Sequence, residues 1–280
     1  MRLRRHHIQL LRLGVLPALC YQGIMSRLQI HQIPVLNDNY VYLARCSESG
    51  STAVVDPAVA APVLEEAARL GWKISHILNT HHHGDHVGGN LEIKRATGCQ
   101  IIGPAYDAER IPGIDLAVRE GEEVRLGEAK AEVFFVPGHT RGHIAYWFRE
   151  SEALFCGDTL FALGCGRLFE GTPAQMWDSL KKLRGLPAET RVYCAHEYTQ
   201  SNARFALSIE ANNEKLRARA AEIDARRARG EPTVPSLLSE ERETNPFLRA
   251  DDPALARALG LSAEDPVAVF AEVRARKDRF

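Results

Sequence analysis

The segment Thr80-His81-His82-His83-Gly84-Asp85-His86 constrains this chain more than any other, because it places four of the eleven histidines and a carboxylate within seven residues. It directly follows ISHILN (74–79), a short apolar run of the kind that forms a buried strand. Imidazole and carboxylate are ligands that suit zinc and related divalent ions. His81 and His83 alternate, so both face one way if extended geometry continues past the strand. Asp85 and His86 fall where the loop turns into a Gly-rich helix start and can face a second position. One short loop can therefore serve two metals. A purification tag would lie at a terminus and contain no aspartate.

Two metals need more ligands than this loop supplies, and a site on rigid elements is better held. Three further residues stand just past apolar runs that read as strands. His139 follows AEVFFV (131–136) across Pro137-Gly138, Asp158 follows ALFC (153–156) within Gly157-Asp158-Thr159, and His196 follows RVYC (191–194) within Ala195-His196-Glu197. LQIHQIPVL (28–36) and YVYLARC (40–46) flank the turn residues Asn37-Asp38-Asn39, and STAVVD (51–56), QIIG (100–103), EVRL (123–126) and HIAYWF (143–148) add strands. Helices are expected over Pro62–Leu70, stopped by Gly71, and over Ala174–Leu183. Strands that first pair with each other and then alternate with helices indicate a layered α/β domain. Past about Tyr198 the composition shifts. Residues 202–230 are rich in Ala, Arg and Glu, with Phe205, Ile209, Leu216 and Ile223 near helical spacing, and Pro232 and Pro235 break the segment. A short, loosely helical tail is expected up to Phe280. The division expected is an α/β domain over 25–197 and a smaller helical domain over 198–280.

Charge and cysteine content narrow the class. Lys plus Arg number 35 and Asp plus Glu 36 in 280 residues, a net charge of -1 that gives no basic excess for nucleic acid. No run of 18 apolar residues lacks charge, so no helical membrane span is expected. The six cysteines form no C-x-x-C pair and read as reduced, mostly buried thiols in a cytosol-like compartment. Cys156, Cys165 and Cys194 stand close enough to the strand-end motifs to raise a thiolate ligand or nucleophile as an alternative, although buried structural thiols are the commoner case. Residues 1–24 hold four arginines and no acid. They read as an extension outside the fold: a targeting segment, a disordered tail, or sequence upstream of a true start at Met25.

The succession H-x-H-x-D-H, G-H-T-x-G-H, G-D-T and a strand-end histidine resembles the metallo-β-lactamase superfamily. Within it, IHQIPVLNDNYVYL (30–43), GDTLFALGCGRLFEGT (157–172), AHEYTQSNARFA (195–206), NPFLR (245–249) and VRARKDRF (273–280) resemble the glyoxalase II branch, the hydroxyacylglutathione hydrolases. The resemblance runs from about Leu28 to the last residue and implies a four-layer αββα sandwich followed by a small α-helical C-terminal domain. It puts His81, His83 and His139 on one metal, Asp85, His86 and His196 on a second, and Asp158 across both. His82 and His143 match the motifs without being ligands, and Asp56, closing STAVVD, is a candidate to orient a ligand imidazole or to serve as a turn residue. Two divalent ions per chain are implied; zinc is the first expectation, and iron or manganese suits the same donors.

A paired metal centre lowers the pKa of bound water toward ~7 and polarises a carbonyl. The reaction implied is hydrolysis of the thioester S-D-lactoylglutathione to D-lactate and glutathione, the second step of methylglyoxal detoxification. A thiol leaving group with a pKa near ~8.5 hardly needs a proton. The resemblance supplies Arg167, Phe169, Tyr198, Arg274 and Lys277 for the glutathione moiety, whose carboxylates call for cations. Phe169 stands where some relatives carry tyrosine, which removes a hydroxyl contact. The small-molecule thioester is the expected partner of a cytoplasmic monomer, with mitochondrial targeting the alternative if residues 1–24 are a transit segment. An iron-dependent glutathione persulfide dioxygenase of the same superfamily is the rival reading, disfavoured by the second ligand set. A metal-dependent nuclease, a rival of another class, lacks a basic surface.

Overall fold

The structure, a computed structural model, describes residues 28–280. The expectations for residues 1–24 lie outside the described residues.

Six strands form the first sheet in sequence order: β1 (Leu28–Val35), β2 (Asn39–Cys46), β3 (Thr52–Val55), β4 (Ile74–Leu78), β5 (Gln100–Pro104) and β6 (Leu116–Val118). The first three pair antiparallel and the rest parallel. The parallel crossovers run through α1 (Ala61–Leu70) and through α2 (Gly84–Val87) with α3 (Asn90–Thr97). β2 shows why the sheet is sandwiched. Tyr42, Ala44 and Cys46 point into the core between the sheets, and Val41 and Leu43 point the other way into a second core with Val63, Ala67 and Ile93 of α1 and α3. Both faces are buried, so the strand reads as a near-continuous apolar run rather than an alternating one.

The second sheet contains β7 (Glu123–Leu126), β8 (Ala129–Phe135), β9 (Ile144–Phe148) and β10 (Ala153–Gly157) as an antiparallel meander. After the small hairpin β11 (Leu160–Phe161) and β12 (Gly164–Cys165) and helix α4 (Pro173–Arg184), β13 (Arg191–Cys194) returns parallel to β10. Met176, Trp177, Leu180 and Leu183 of α4 cover the far side of this sheet. The result is four layers, helix–sheet–sheet–helix, as the sequence resemblance implied.

Beyond β13 the chain is helical: α5 (Thr199–Ile209), α6 (Glu214–Ala228), α7 (Leu238–Thr244), α8 (Pro253–Leu259) and α9 (Pro266–Arg279), with β14 (Ser236–Leu237) adding an edge to the second sheet. This is more order than the sequence suggested. The 202–230 stretch is two helices, because the Asn213 side chain caps the backbone N–H of Leu216 and starts a new one. Leu216, Ala220 and Ile223 of α6 then fold back onto Ala203 and Ala206 of α5. The expected loose tail is three helices, each opened by a proline or an acidic first turn.

The helical segment does not stand apart. Phe247, Val269, Phe270 and Val273 belong to the same apolar cluster as the second sheet. Its polar anchor is Glu241, wholly buried, which accepts from Leu163 N–H at 2.9 Å and Asn245 Nδ2 at 3.0 Å and pairs with Arg219. Asn245 also donates to the carbonyls of Phe161 and Gly164, so α7 clamps the β11–β12 hairpin by its backbone. Glu241→Ala would strand Arg219 and the Leu163 amide, and breaking one partner of a buried pair costs about 3–5 kcal/mol. A denaturant midpoint shift corresponding to less than ~1 kcal/mol would contradict that role.

Candidate metal centre

The strand ends of both sheets meet at one edge of the sandwich, and the seven sequence-predicted ligand residues converge there. The loop after β4 carries His81 and His83, and α2 carries Asp85 and His86; His139 follows β8, Asp158 follows β10 and His196 follows β13. The ligand atoms of His81, His83 and His139 lie within 4.8 Å of one another, and so do those of Asp85, His86 and His196. His81 Nε2 and His139 Nε2 each stand 3.1 Å from His83 Nδ1. Asp158 lies between the two groups. Its Oδ2 is 3.3 Å from His139 Nε2, and its Oδ1 is 3.5 Å from His86 Nε2 and 3.4 Å from His196 Nε2.

Close backbone packing creates this geometry. Gly157 has φ +47, and a Cβ there would come within 2.2 Å of Thr80 Oγ1; a Cβ on Gly166 would come within 2.0 Å of the Asp158 carbonyl and 3.0 Å of His139 Nδ1. Glycine at both positions lets β10 and the β11–β12 hairpin close against the histidine loop.

The outer ring nitrogens are held as well. His81 Nδ1 is 3.0 Å from Thr80 Oγ1, His139 Nδ1 donates to the Arg167 carbonyl at 2.9 Å, His86 Nδ1 to Asp56 at 3.1 Å, and His196 Nδ1 to Asp38 at 2.8 Å. Each contact turns Nε2 inward. Asp56 also accepts from Thr80 N–H and Oγ1 at 2.7 Å, so a buried carboxylate at φ +49 ties two strand ends together. His82 turns away, toward Asp107 and Glu170. His143 stacks on His81 and accepts from the Asp158 N–H at 3.2 Å.

The electrostatics fit a cation. Burial, then neighbouring imidazoles, holds His81 and His143 well below the usual histidine value, and the same causes push His83 down to about 4. Their lone pairs are therefore free at neutral pH. Burial opposes the Asp158 charge, but His86 and His196 outweigh it and hold the carboxyl well below the usual range. Burial likewise opposes a His86 cation, and Asp158 with Asp56 outweighs it, so His86 lies well above the usual value. His86 Nε2 and Asp158 Oδ1 are both buried without a hydrogen-bond partner. Buried polar atoms left without a partner, in one nitrogen-rich and one mixed nitrogen–oxygen donor set, fit divalent metal ions, which would take the place of the His86 proton. The cysteines do not compete: burial pushes Cys194 up to about 12 and Cys165 up to about 11, and Cys156 higher than its usual value.

Above this floor opens a cavity of about 760 Å³. Phe169, set edge-on against His83 and His139, and Tyr198, stacked on His196 at 4.8 Å and 4°, form its walls. Arg167, Arg204, Arg274 and Lys277 line the rest. Arg274, expected from the resemblance to serve the glutathione moiety, lines the cavity but is already engaged by the protein. It is buried, bonded to Asp278 and to the Cys165 carbonyl at 2.9 Å, and stacked over Phe247. Arg204 was not singled out from the sequence; it is exposed, lines the cavity, and makes no ion pair among the described residues. Its position one turn past Ser201, on the helix that starts behind His196, was the available signal.

Comparison with known proteins agrees with this geometry. Residues 35–196 match the profile of the metallo-β-lactamase superfamily, and residues 197–280 match the profile described as the hydroxyacylglutathione hydrolase C-terminus. A hydroxyacylglutathione hydrolase from Rhodospirillum rubrum is 63% identical over 91% of this chain and 100% of its own length. One from Methylococcus capsulatus is 63% identical over 90% of this chain and 99% of its own. Among solved structures, ETHE1 from Myxococcus xanthus superposes with a TM-score of 0.64 at 25% identity, covering 87% of this chain and 90% of that one. The BLEG-1 B3 metallo-β-lactamase, at 20% identity and a TM-score of 0.61 over 79% of this chain and 99% of its own, shares the fold. With a donor set suited to divalent metal and relatives of this identity along nearly their whole length, the chain belongs to the hydroxyacylglutathione hydrolases of the metallo-β-lactamase superfamily.

Proposed function

We propose that this chain hydrolyses S-D-lactoylglutathione to D-lactate and glutathione, with His81, His83, His139 and Asp158 holding one divalent ion and Asp85, His86, His196 and Asp158 a second. The observation that carries the reading is that one cavity joins the two donor sets to a cationic wall contributed by the C-terminal helices. The relatives at 63% identity are hydroxyacylglutathione hydrolases, which favours this reading over the persulfide dioxygenase. We take residues 25–197 as the catalytic unit and 198–280 as the substrate-binding unit. Bound divalent ions supply Lewis acidity that lowers the pKa of water toward ~7 and polarises a carbonyl.

The chain's own residues do the rest. Asp158 spans both donor sets, so it fixes their relative position. Phe169 and Tyr198 shelter the thioester from bulk water on two sides. Burial pushes the Tyr198 hydroxyl above its usual value, so it stays protonated and can donate. The leaving sulfur, with a free-thiol pKa near ~8.5, departs as thiolate without a dedicated acid. Lys277, Arg167 and Arg204 face the carboxylates of the glutathione moiety, and Arg274 holds the hairpin on which Arg167 follows. Zinc is the ion we take first, since imidazole and carboxylate donors suit it, as they also suit iron and manganese. A single chain supplies both the floor and the wall, which supports a monomer, and six cysteines in 280 residues with no C-x-x-C pair support a reducing, cytoplasmic setting.

Two outcomes follow. Asp158→Ala should lower kcat/KM for S-D-lactoylglutathione by more than ~100-fold, beyond the ~10–100-fold typical of losing a group behind a ligand; thioester absorbance measures it, and a loss under tenfold would contradict the assignment. Burial, then Arg274, Arg204 and Arg167, lowers Lys277 to about 8, with Asp278 opposing them. Lys277 is thus charged below pH ~8 and loses its charge above it. KM should rise as pH passes 8 with kcat little changed, and Lys277→Arg, which stays charged, should flatten that rise. An unchanged KM profile in the arginine variant would count against Lys277 as a carboxylate partner.

A further inference from the structure

The turn between β1 and β2 reaches the second donor set and leaves the first untouched. Asp38 Oδ1 accepts from His196 Nδ1 at 2.8 Å, and the Asp38 carbonyl accepts from Glu197 N–H at 2.8 Å. Asn39, 6% exposed, donates from Nδ2 to Asp85 Oδ2 at 3.1 Å and to the Asp85 carbonyl at 3.4 Å. Its backbone bridges to His196, and Tyr40 N–H donates to the Ala195 carbonyl at 2.7 Å. The first set is held instead by its own loop and by the segment after β12: Thr80 beside His81, and the Arg167 carbonyl on His139.

Each set has two buried members and one half-buried one, His83 in the first and Asp85, whose side chain is 41% exposed, in the second; of these two, Asp85 is the one the β1–β2 turn holds. A carboxylate that open to water rotates freely unless something fixes it, and the Asn39 amide is the neutral donor that does so. A neutral partner leaves the Asp85 charge intact for a cation. The Asp38 carboxylate acts on His196 in the opposite sense, accepting the proton on Nδ1, which fixes Nε2 as the lone-pair nitrogen and strengthens it.

The turn is tied to the segment that follows His196. Leu36 adopts φ +53, and Glu197, next to His196, accepts from Tyr40 OH at 2.8 Å and from Thr233 N–H at 2.8 Å. The C-terminal segment is thereby pinned to the hairpin at the same point.

Resting on the two-position reading above, we infer that Asp38 and Asn39 are positioning residues for the second metal position alone, so that its affinity is set separately from that of the first. The test uses the full chain, stripped by chelator and titrated with Co(II), followed by visible absorption, and with Zn(II), followed by calorimetry. Wild type should take up two equivalents. Asp38→Ala and Asn39→Ala should keep the first dissociation constant and weaken the second by ~10–100-fold. Asp38→Asn, which retains an oxygen to accept from His196 Nδ1, should recover part of the loss. Circular dichroism of each metal-free variant should match wild type, which separates positioning from misfolding. Equal weakening of both equivalents, or two unchanged constants, would overturn the inference while leaving the two-position reading intact. Uptake of a single equivalent by wild type would remove both.

Discussion

A carboxylate as deeply buried as Asp158 is tolerated only where positive charge or inward-facing donors surround it, since desolvating an ion costs several kcal/mol. Here the imidazoles of His86, His139 and His196 stand within 3.5 Å of its two oxygens, and its own amide is bound by His143. Each of those rings is fixed from behind by a different part of the chain: Asp56 at the end of β3, the Arg167 carbonyl after β12, and Asp38 in the first turn. His86 Nε2 and Asp158 Oδ1 are buried without a hydrogen-bond partner, as suits atoms of a donor set for divalent cations.

The C-terminal helices contribute to this floor as well as to the wall above it. Glu241 and Asn245 bind the backbone of the β11–β12 hairpin, Arg274 binds the Cys165 carbonyl at its far strand, and Gly166 just beyond packs against the Asp158 backbone. Removing the helices would therefore loosen Asp158, the carboxylate that lies between the two donor sets. The cavity wall and the Asp158 backbone thus share one scaffold, in which Arg274 is buried and engaged.

The seven residues that converge on this edge were legible in the sequence because their motifs follow strands, where a loop or a glycine or proline turn marks the chain's exit from the sheet. The β1–β2 hairpin and α1 were equally clear, from their turn residues and from Pro62 and Gly71. The break between α5 and α6 was not, since Phe205, Ile209, Leu216 and Ile223 keep helical spacing across it and only the Asn213 cap interrupts them. β11, β12 and β14 are two-residue pairings fixed by distant partners such as Asn245, which no local pattern can show. Asp38 and Asn39 read as turn formers because that is their local role; their contacts with His196 and Asp85 arise from tertiary folding. Arg274 and Arg204 carry the same charge in the sequence, and only packing separates the buried clamp from the free cation.

The most direct test of the central claim is anomalous diffraction from crystals of the metal-loaded protein. Two peaks are predicted, one among His81, His83 and His139 and the other among Asp85, His86 and His196, with the Asp158 carboxylate between them. A single peak, or a second peak away from Asp158, would contradict the account.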